Sequence, residues 1–159
     1  MDELDRSIIR ILQRDARLPF TKIAEELGQA DTTIHFRTRR MVRNGVITRF
    51  SALVNPHAMG YDVAGLVKIQ VGGHILPEIS HDRTRSFAEE LASEDQFHWV
   101  AVSTEPMTIY ALLLGADVSD LNRRADEIRK RPDVVNVNLT IIDSVVKGWE
   151  VAGSSSEGV

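Results

Sequence analysis

The amino-acid sequence predicts an α+β protein in which three helices lead, through a strand-like connector, into a βαββαβ unit. Apolar residues recur at helical spacing up to Met41, and from Val46 onward the dominant period falls to two. Charge divides at nearly the same place. Residues 1–50 hold ten Lys/Arg and seven Asp/Glu, a balance of +3, while the remainder hold nine and sixteen, a balance of −7. A basic end on a chain of net charge −4 suggests separate tasks, with the basic part suited to an anionic partner.

In "DELDRSIIRILQRDAR" Leu4, Ile8, Ile11 and Leu12 form one stripe of an amphipathic helix, and Asp2 can cap its start. Pro19 ends that pattern and suits the first turn of a second helix, where a missing N–H costs nothing. "TKIAEEL" places Ile23, Ala24 and Leu27 together before Gly28, a C-terminal stop. Asp31 is read as the N-cap of a third helix with Ile34, Thr38 and Met41 inward, ended by Asn44-Gly45. Three short helices with a tight turn between the last two fit a helix-turn-helix module over residues 1–45.

Residues 46–60 read as a strand and hinge: "VITRFSALV" is extended and "NPHAMG" carries turn chemistry. Over residues 61–150 there follow "YDVAGLVKIQVGG" as strand, "RTRSFAEELA" as helix, "FHWVAVS" and "MTIYALLLGA" as strands, "VSDLNRRADEIRKR" as helix, and "VVNVNLTIIDSVV" as strand. Phe87 and Leu91, then Val118, Leu121, Ala125 and Ile128, are the inward residues of the two helices. This order is the split βαβ, ferredoxin-like arrangement with both helices on one face of an antiparallel sheet. The small, polar residues 151–159 read as a disordered tail.

"MTIYALLLG" is apolar on both sides: Met107, Ile109, Ala111 and Leu113 alternate with Tyr110, Leu112 and Leu114. A sheet with one solvated face should alternate apolar with polar. Two helices cover one face, so a second copy of the chain is expected on the other.

The sequence has no cysteine, which excludes disulfides, thiolate metal sites and cysteine nucleophiles. It shows neither a run long enough for a membrane span nor a signal-peptide layout, so a cytoplasmic protein without membrane attachment is expected. No P-loop, Gly-x-Gly-x-x-Gly, Gly-x-Ser-x-Gly or His-Glu-x-x-His occurs, and no cofactor or catalytic residue is expected. His74, Glu78 and His81 have helix-like spacing, but Gly72-Gly73 and Pro77 interrupt it, so no metal is expected there. His98-Trp99 reads as one core ring and one residue of the opposite face. His57 reads as a solvated turn residue, and Glu89-Glu90 and Asp126-Glu127 as solvated helix faces.

The third helix is different. With Ile34, Thr38 and Met41 inward, Thr32, Thr33, His35, Phe36, Arg39, Arg40 and Arg43 lie outside or on the flanks, and Arg37 either adds a cation or holds the helix in place. Short polar residues near the N-terminal end suit base edges, and cations further along suit phosphates. An exposed Phe36 fits poorly with a merely solvated face. The partner expected is double-stranded DNA.

At these residues the chain resembles the leucine-responsive regulatory protein/AsnC ("feast/famine") transcription regulators, over about residues 1–150. The resemblance rests on "LDRSIIRILQRDAR", on "IAEELG", on "RTRRMVRNGVITRFSALVNPHAMGY" and on the βαββαβ half. Its most specific part is arginine, two variable residues, arginine, apolar, three variable residues, glycine, apolar, isoleucine, filled by Arg37, Arg40, Met41, Gly45, Val46 and Ile47. The resemblance implies a sequence-specific, non-enzymatic regulator that dimerises, with higher even-numbered oligomers, and takes amino-acid effectors at subunit interfaces.

The chain departs from the family pattern in places. Gln29-Ala30 replace the usual Leu-Ser, Phe36 stands where a cation is common, and Thr38 where an apolar β-branched core residue is common. Between the second and third strands the family shows Thr-Gly-x-Tyr-Asp, against "STEPM" here. The ligand-contacting loop implied by the resemblance is thus Thr104, Glu105, Pro106 and Met107, altered in a way that predicts weak or no response to common amino acids. An alternative is a tetrapyrrole enzyme similar to the siroheme decarboxylases, which share the architecture; His98 and Arg49 motivate it.

Overall fold

The computed structural model describes residues 1–72 and 77–145. The expected tail, and His74 of the metal constellation, lie outside these residues. The chain divides into two compact units, one taking in residues 1–53 and the other residues 54–144.

The first unit holds α1 (Glu3–Arg14), α2 (Phe20–Leu27) and α3 (Asp31–Arg43). α1 starts in a reciprocal capping box: the Asp5 N–H donates to the Asp2 carboxylate at 3.0 Å, and the Asp2 N–H donates to the Asp5 carboxylate at 3.2 Å. Gly28 closes α2 with φ 61°, the left-handed turn that a Cβ would oppose. Asp31 is not the N-cap of α3. Ala30 holds that place in extended backbone, its carbonyl accepting from the Thr33 and Ile34 N–H groups, and Asp31 is the first helical residue. There its negative charge still favours the helix dipole. Ile8, Ile11, Leu12, Ile23, Ala24, Ile34 and Met41 form the core, with Leu4 and Leu27, also read as inward, half-buried against it and Thr38 buried beside it.

The connector differs from expectation. Among the described residues, 46–54 join no ladder, and Phe50, Leu53 and Val54 are 51%, 81% and 62% exposed. An extended segment becomes a strand only with a neighbour to take its N–H and C=O groups. A 3-10 turn at His57–Met59 follows, and His57, in it, meets Asp62 at 3.0 Å.

The second unit is β1 (Val63–Val71), α4 (Pro77–Ala92), β2 (Phe97–Val102), β3 (Thr108–Gly115), α5 (Val118–Arg129) and β4 (Val134–Ile142). The sheet order is β2-β3-β1-β4, antiparallel throughout. α4 opens at Pro77, six residues before the start expected from apolar spacing, because a proline is tolerated in the first turn. α4 lies on β2 and β3, and α5 on β4, β1 and β3. Phe87, Leu91, Leu121, Ala125 and Ile128 meet Val67, Ile69, Ile109, Ala111, Leu113 and Val137 in one core. Val118, expected in that core, is instead 46% exposed at the start of α5. Leu121 sits so close to the sheet that a Cβ on Gly65 would come 3.2 Å from its Cδ1 and 2.6 Å from Leu139 Cδ1. Glycine there lets α5 approach.

Among the described residues of this unit, no helix packs on the other sheet face. Register puts Trp99 beside Leu112 and Leu112 beside Leu66, with Ala64 beside Leu114 and Ile142. A bulge between Phe97 and Trp99 resets the alternation that "FHWV" suggested. Phe97 is therefore the buried ring, at 8% exposure, while Trp99 joins the open face and His98 stands edge-on to Tyr61 with centroids 5.8 Å apart.

Candidate nucleic-acid interface

α3 is a basic helix whose inner side is fixed by Ile34, Thr38 and Met41, all buried. Spacing then determines what remains outside. Thr32, Phe36, Arg39 and Arg43 follow one another at intervals of four, three and four, a single stripe along the helix, and all four are exposed. Among the described residues, Arg39 and Arg43 form no ion pair. His35 is exposed on one flank, its ring edge-on to Phe20 at 4.7 Å between centroids, and Thr33 is half-buried on the other.

Arg37 and Arg40 behave differently from their neighbours. Arg37 donates to both Asp2 and Asp5, the second at 3.2 Å, and Arg40 donates to Asp5 at 2.9 Å. The Asp5 carboxylate is 1% exposed, so the two arginines supply the charge its burial demands. Burial alone would raise the Asp5 pKa; the Asp2 N–H and the arginines outweigh it and bring it below the ordinary value. The Asp2 carboxyl, held chiefly by Arg37 and then by the Asp5 N–H, is pulled down to about 2. The capping box of α1 is thus also the clamp that orients α3. The sequence offers Asp2 as a cap and Arg37 as a support of the helix, but not that Asp5 and Arg40 join them. The clamp's one sequence signal is the pairing of two acids three apart with two arginines three apart.

In the second unit, Thr104, Glu105, Pro106 and Met107 come together in the β2–β3 turn. They line an open groove of about 1270 Å³ whose other wall is α4, with Ser80, His81, Thr84, Arg85 and Glu89. Thr84 Oγ1 donates to the Ser80 carbonyl at 2.7 Å. Glu105 does not reach freely into the groove. Its carboxylate accepts from Lys68 Nζ at 2.5 Å and from the Tyr110 hydroxyl at 3.0 Å, and these donors hold its pKa below the ordinary value. Met107 has φ 52°, a left-handed backbone that is rare for a long side chain. No group of three metal-ligating side chains is found among the described residues, and no helix there is long and apolar enough to cross a membrane.

Residues 1–42 match the AsnC-type helix-turn-helix domain. The chain is 30% identical over 142 residues to the HTH-type transcriptional regulator FL11 of Pyrococcus abyssi, covering 89% of each chain. It is 32% identical over 143 residues to the HTH-type transcriptional regulator LysM of Saccharolobus solfataricus, covering 89% of this chain and 93% of LysM. The chain belongs to the Lrp/AsnC family of transcription regulators. Among solved structures, the Escherichia coli AsnC protein superposes with a TM-score of 0.80 at 22% identity, covering 96% of this chain and 99% of that one. The AsnC-family regulator PF0864 of Pyrococcus furiosus gives 0.78 at 26% identity, covering 96% of each.

As a member of the Lrp/AsnC family, the protein is a DNA-binding transcription regulator, and the tetrapyrrole alternative draws no support from these relatives. His98 and Arg49, which motivated it, lie one in each of the two units. Of the eight residues read as DNA contacts, four form the outward stripe of α3, two flank it, and Arg37 and Arg40 turn inward to the acids of α1.

Proposed function

We propose that the regulator acts as a dimer that lays the outward stripe of each α3 into a major groove of a pseudo-palindromic operator, with half-sites about one helical turn, or a multiple, apart. The observation that carries this reading is the division of the arginines. Arg37 and Arg40 are committed to Asp2 and Asp5, whereas Arg39 and Arg43 stand exposed on the stripe with Thr32 and Phe36, free to meet phosphates. Titration of operator duplex at several salt concentrations tests it. Alanine at Arg39 and Arg43 should weaken binding and lower the salt slope by about one per lost phosphate contact. A folded double variant that binds as tightly as the parent at every salt concentration makes the stripe a solvated face.

Dimerisation rests on the open sheet face. Leu66, Trp99, Leu112 and Leu114 lie together there, and the exposed connector offers Phe50, Leu53 and Val54 beside an unpaired backbone. A second copy can cover the first and pair with the second. Light scattering of the full chain decides it, and a monomer at micromolar concentration refutes the reading.

The groove beneath the β2–β3 turn is the candidate effector site. The Neisseria meningitidis regulator NMB0573, whose structure is a complex with L-Met, superposes with a TM-score of 0.82 at 14% identity, covering 97% of this chain and 96% of that one. An amino acid needs partners for both its ammonium and its carboxylate. Here Pro106 lacks an N–H, Thr104 adds a side chain, and the Glu105 carboxylate is already matched by Lys68 and Tyr110. Calorimetric titration with the twenty amino acids should therefore give weak or no binding. Micromolar affinity for any of them, lost on a bulky substitution at Thr104, reverses this expectation.

A further inference from the structure

Phe36 is 63% exposed at the centre of the basic helix, with Thr32 one turn before it and Arg39 and Arg43 after it on the same stripe. Its ring has no hydrogen-bonding group, so in a groove it can recognise only an apolar feature. B-DNA offers one such feature on the major-groove edge of its bases, the C5 methyl of thymine. Neighbouring residues fix the orientation. Ile34 and Met41 bury the opposite side of α3, and the uncommitted cations Arg39 and Arg43 lie along the stripe. A surface that brings those cations to phosphates therefore faces the ring toward the base edges.

We infer that Phe36 is a specificity-determining residue that packs against a thymine methyl in each operator half-site. The inference rests on the DNA reading above and adds to it the identity of a base. The ring favours A·T over G·C at that position through van der Waals contact and the exclusion of water from the methyl, without a hydrogen bond. His35 cannot take the same role at the same place, because its ring packs edge-on to Phe20 on the flank.

The test uses the full chain. Operator duplexes are selected from a random pool, and each thymine of the enriched sequence is replaced in turn by deoxyuridine, which removes the methyl and keeps the pairing. Affinity is measured by fluorescence anisotropy for the parent, Phe36→Ala and Phe36→Leu. One thymine per half-site should cost the parent about fourfold on loss of its methyl, and about fifteenfold when both half-sites are changed, the value of one buried methyl group each. Phe36→Ala should bind thymine and uracil duplexes alike, while Phe36→Leu should keep part of the preference. Melting curves confirm that each variant folds, as expected for a side chain so exposed. If no deoxyuridine substitution matters to the parent, or if Phe36→Ala keeps the same penalty, the inference is wrong although the DNA reading survives. A pool that yields no enriched sequence removes the DNA reading itself, and this inference with it. A variant that changes oligomeric state instead of methyl preference assigns the ring to a protein contact and overturns the proposal.

Discussion

Arg40 of the basic helix places Nη2 2.9 Å from Oδ2 of Asp5, a carboxylate 1% exposed at the start of α1. The contact joins two functions in one place, since Asp5 also closes the capping box of its own helix. Taking away a buried ion while leaving its partners costs roughly 3 kcal/mol. Asp5→Ala should lower stability by about that much in chemical denaturation, and Arg40→Ala should follow in the same direction. Arg39→Ala should leave the melting temperature unchanged yet weaken operator binding. Equal melting temperatures for Arg39→Ala and Arg40→Ala contradict the division of roles.

Acid should dissolve the same clamp. The Asp2 pKa is pulled down to about 2, and that of Asp5 is also below its ordinary value. A carboxylate whose pKa is depressed by folding contributes stability above its unfolded pKa and loses it as pH falls toward the folded one. The contribution is therefore complete above about pH 4 and disappears between about pH 4 and 2. Thermal melts through that window should show a drop in the parent that is smaller in Asp2→Asn.

Thr38 is 3% exposed, and its hydroxyl has no hydrogen-bond partner among the described residues. Valine has nearly the same shape without the polar atom. Thr38→Val should thus raise stability by about 1 kcal/mol, the usual scale for an unsatisfied buried group. A shift of the melting temperature upward by a few degrees checks it. Operator affinity should not change, because the side chain points away from the stripe.

The two periods, the turn residues and the βαββαβ order were legible because each is a local property of the chain. Gly28 and Asn44-Gly45 end helices where their chemistry says they should. The clamp was not legible, since the partnership of Asp5 with Arg37 and Arg40 spans over thirty residues and depends on how three helices pack. The bulge after Phe97 was hidden for a related reason. It shifts the alternation by one and exchanges which aromatic residue of "FHW" is buried, and nothing in those residue types marks it. The connector has a strand's pattern of its own, but among the described residues no neighbour takes its N–H and C=O groups into a ladder.

Leu112 stands on the helix-free face between Leu66 and Trp99, so its replacement separates folding from assembly. Lysine there can extend into water in a single copy, leaving the core beneath, built on Ala111 and Leu113, intact. In a dimer closed on that face the ammonium is buried without a partner, at a cost on the order of 3 kcal/mol. Each copy brings one such ammonium, so Leu112→Lys should keep the parent's circular dichroism while its dimer dissociates at concentrations higher by roughly four orders of magnitude. Far-ultraviolet spectra read the first and sedimentation equilibrium the second. A variant that remains dimeric with unchanged affinity moves the interface elsewhere.

Met107 offers the last test, at the lip of the groove. Its φ of 52° costs a residue with a long side chain about 1 kcal/mol or more. Glycine removes the strain, but it also loosens the unfolded chain, which offsets about 0.5–1 kcal/mol of the gain. Asparagine tolerates the left-handed region while keeping a Cβ. Met107→Asn should accordingly be more stable than the parent by about 1 kcal/mol, and Met107→Gly nearly equal to it. The ordering is informative because the Met107 carbonyl accepts from the Val71 N–H at 2.9 Å, a contact that ties the turn to β1 and that neither substitution removes. If both variants are instead destabilised by more than about 1 kcal/mol, the methionine side chain contributes packing at the groove lip that outweighs the backbone strain. The groove would then depend on a residue that departs from the family pattern.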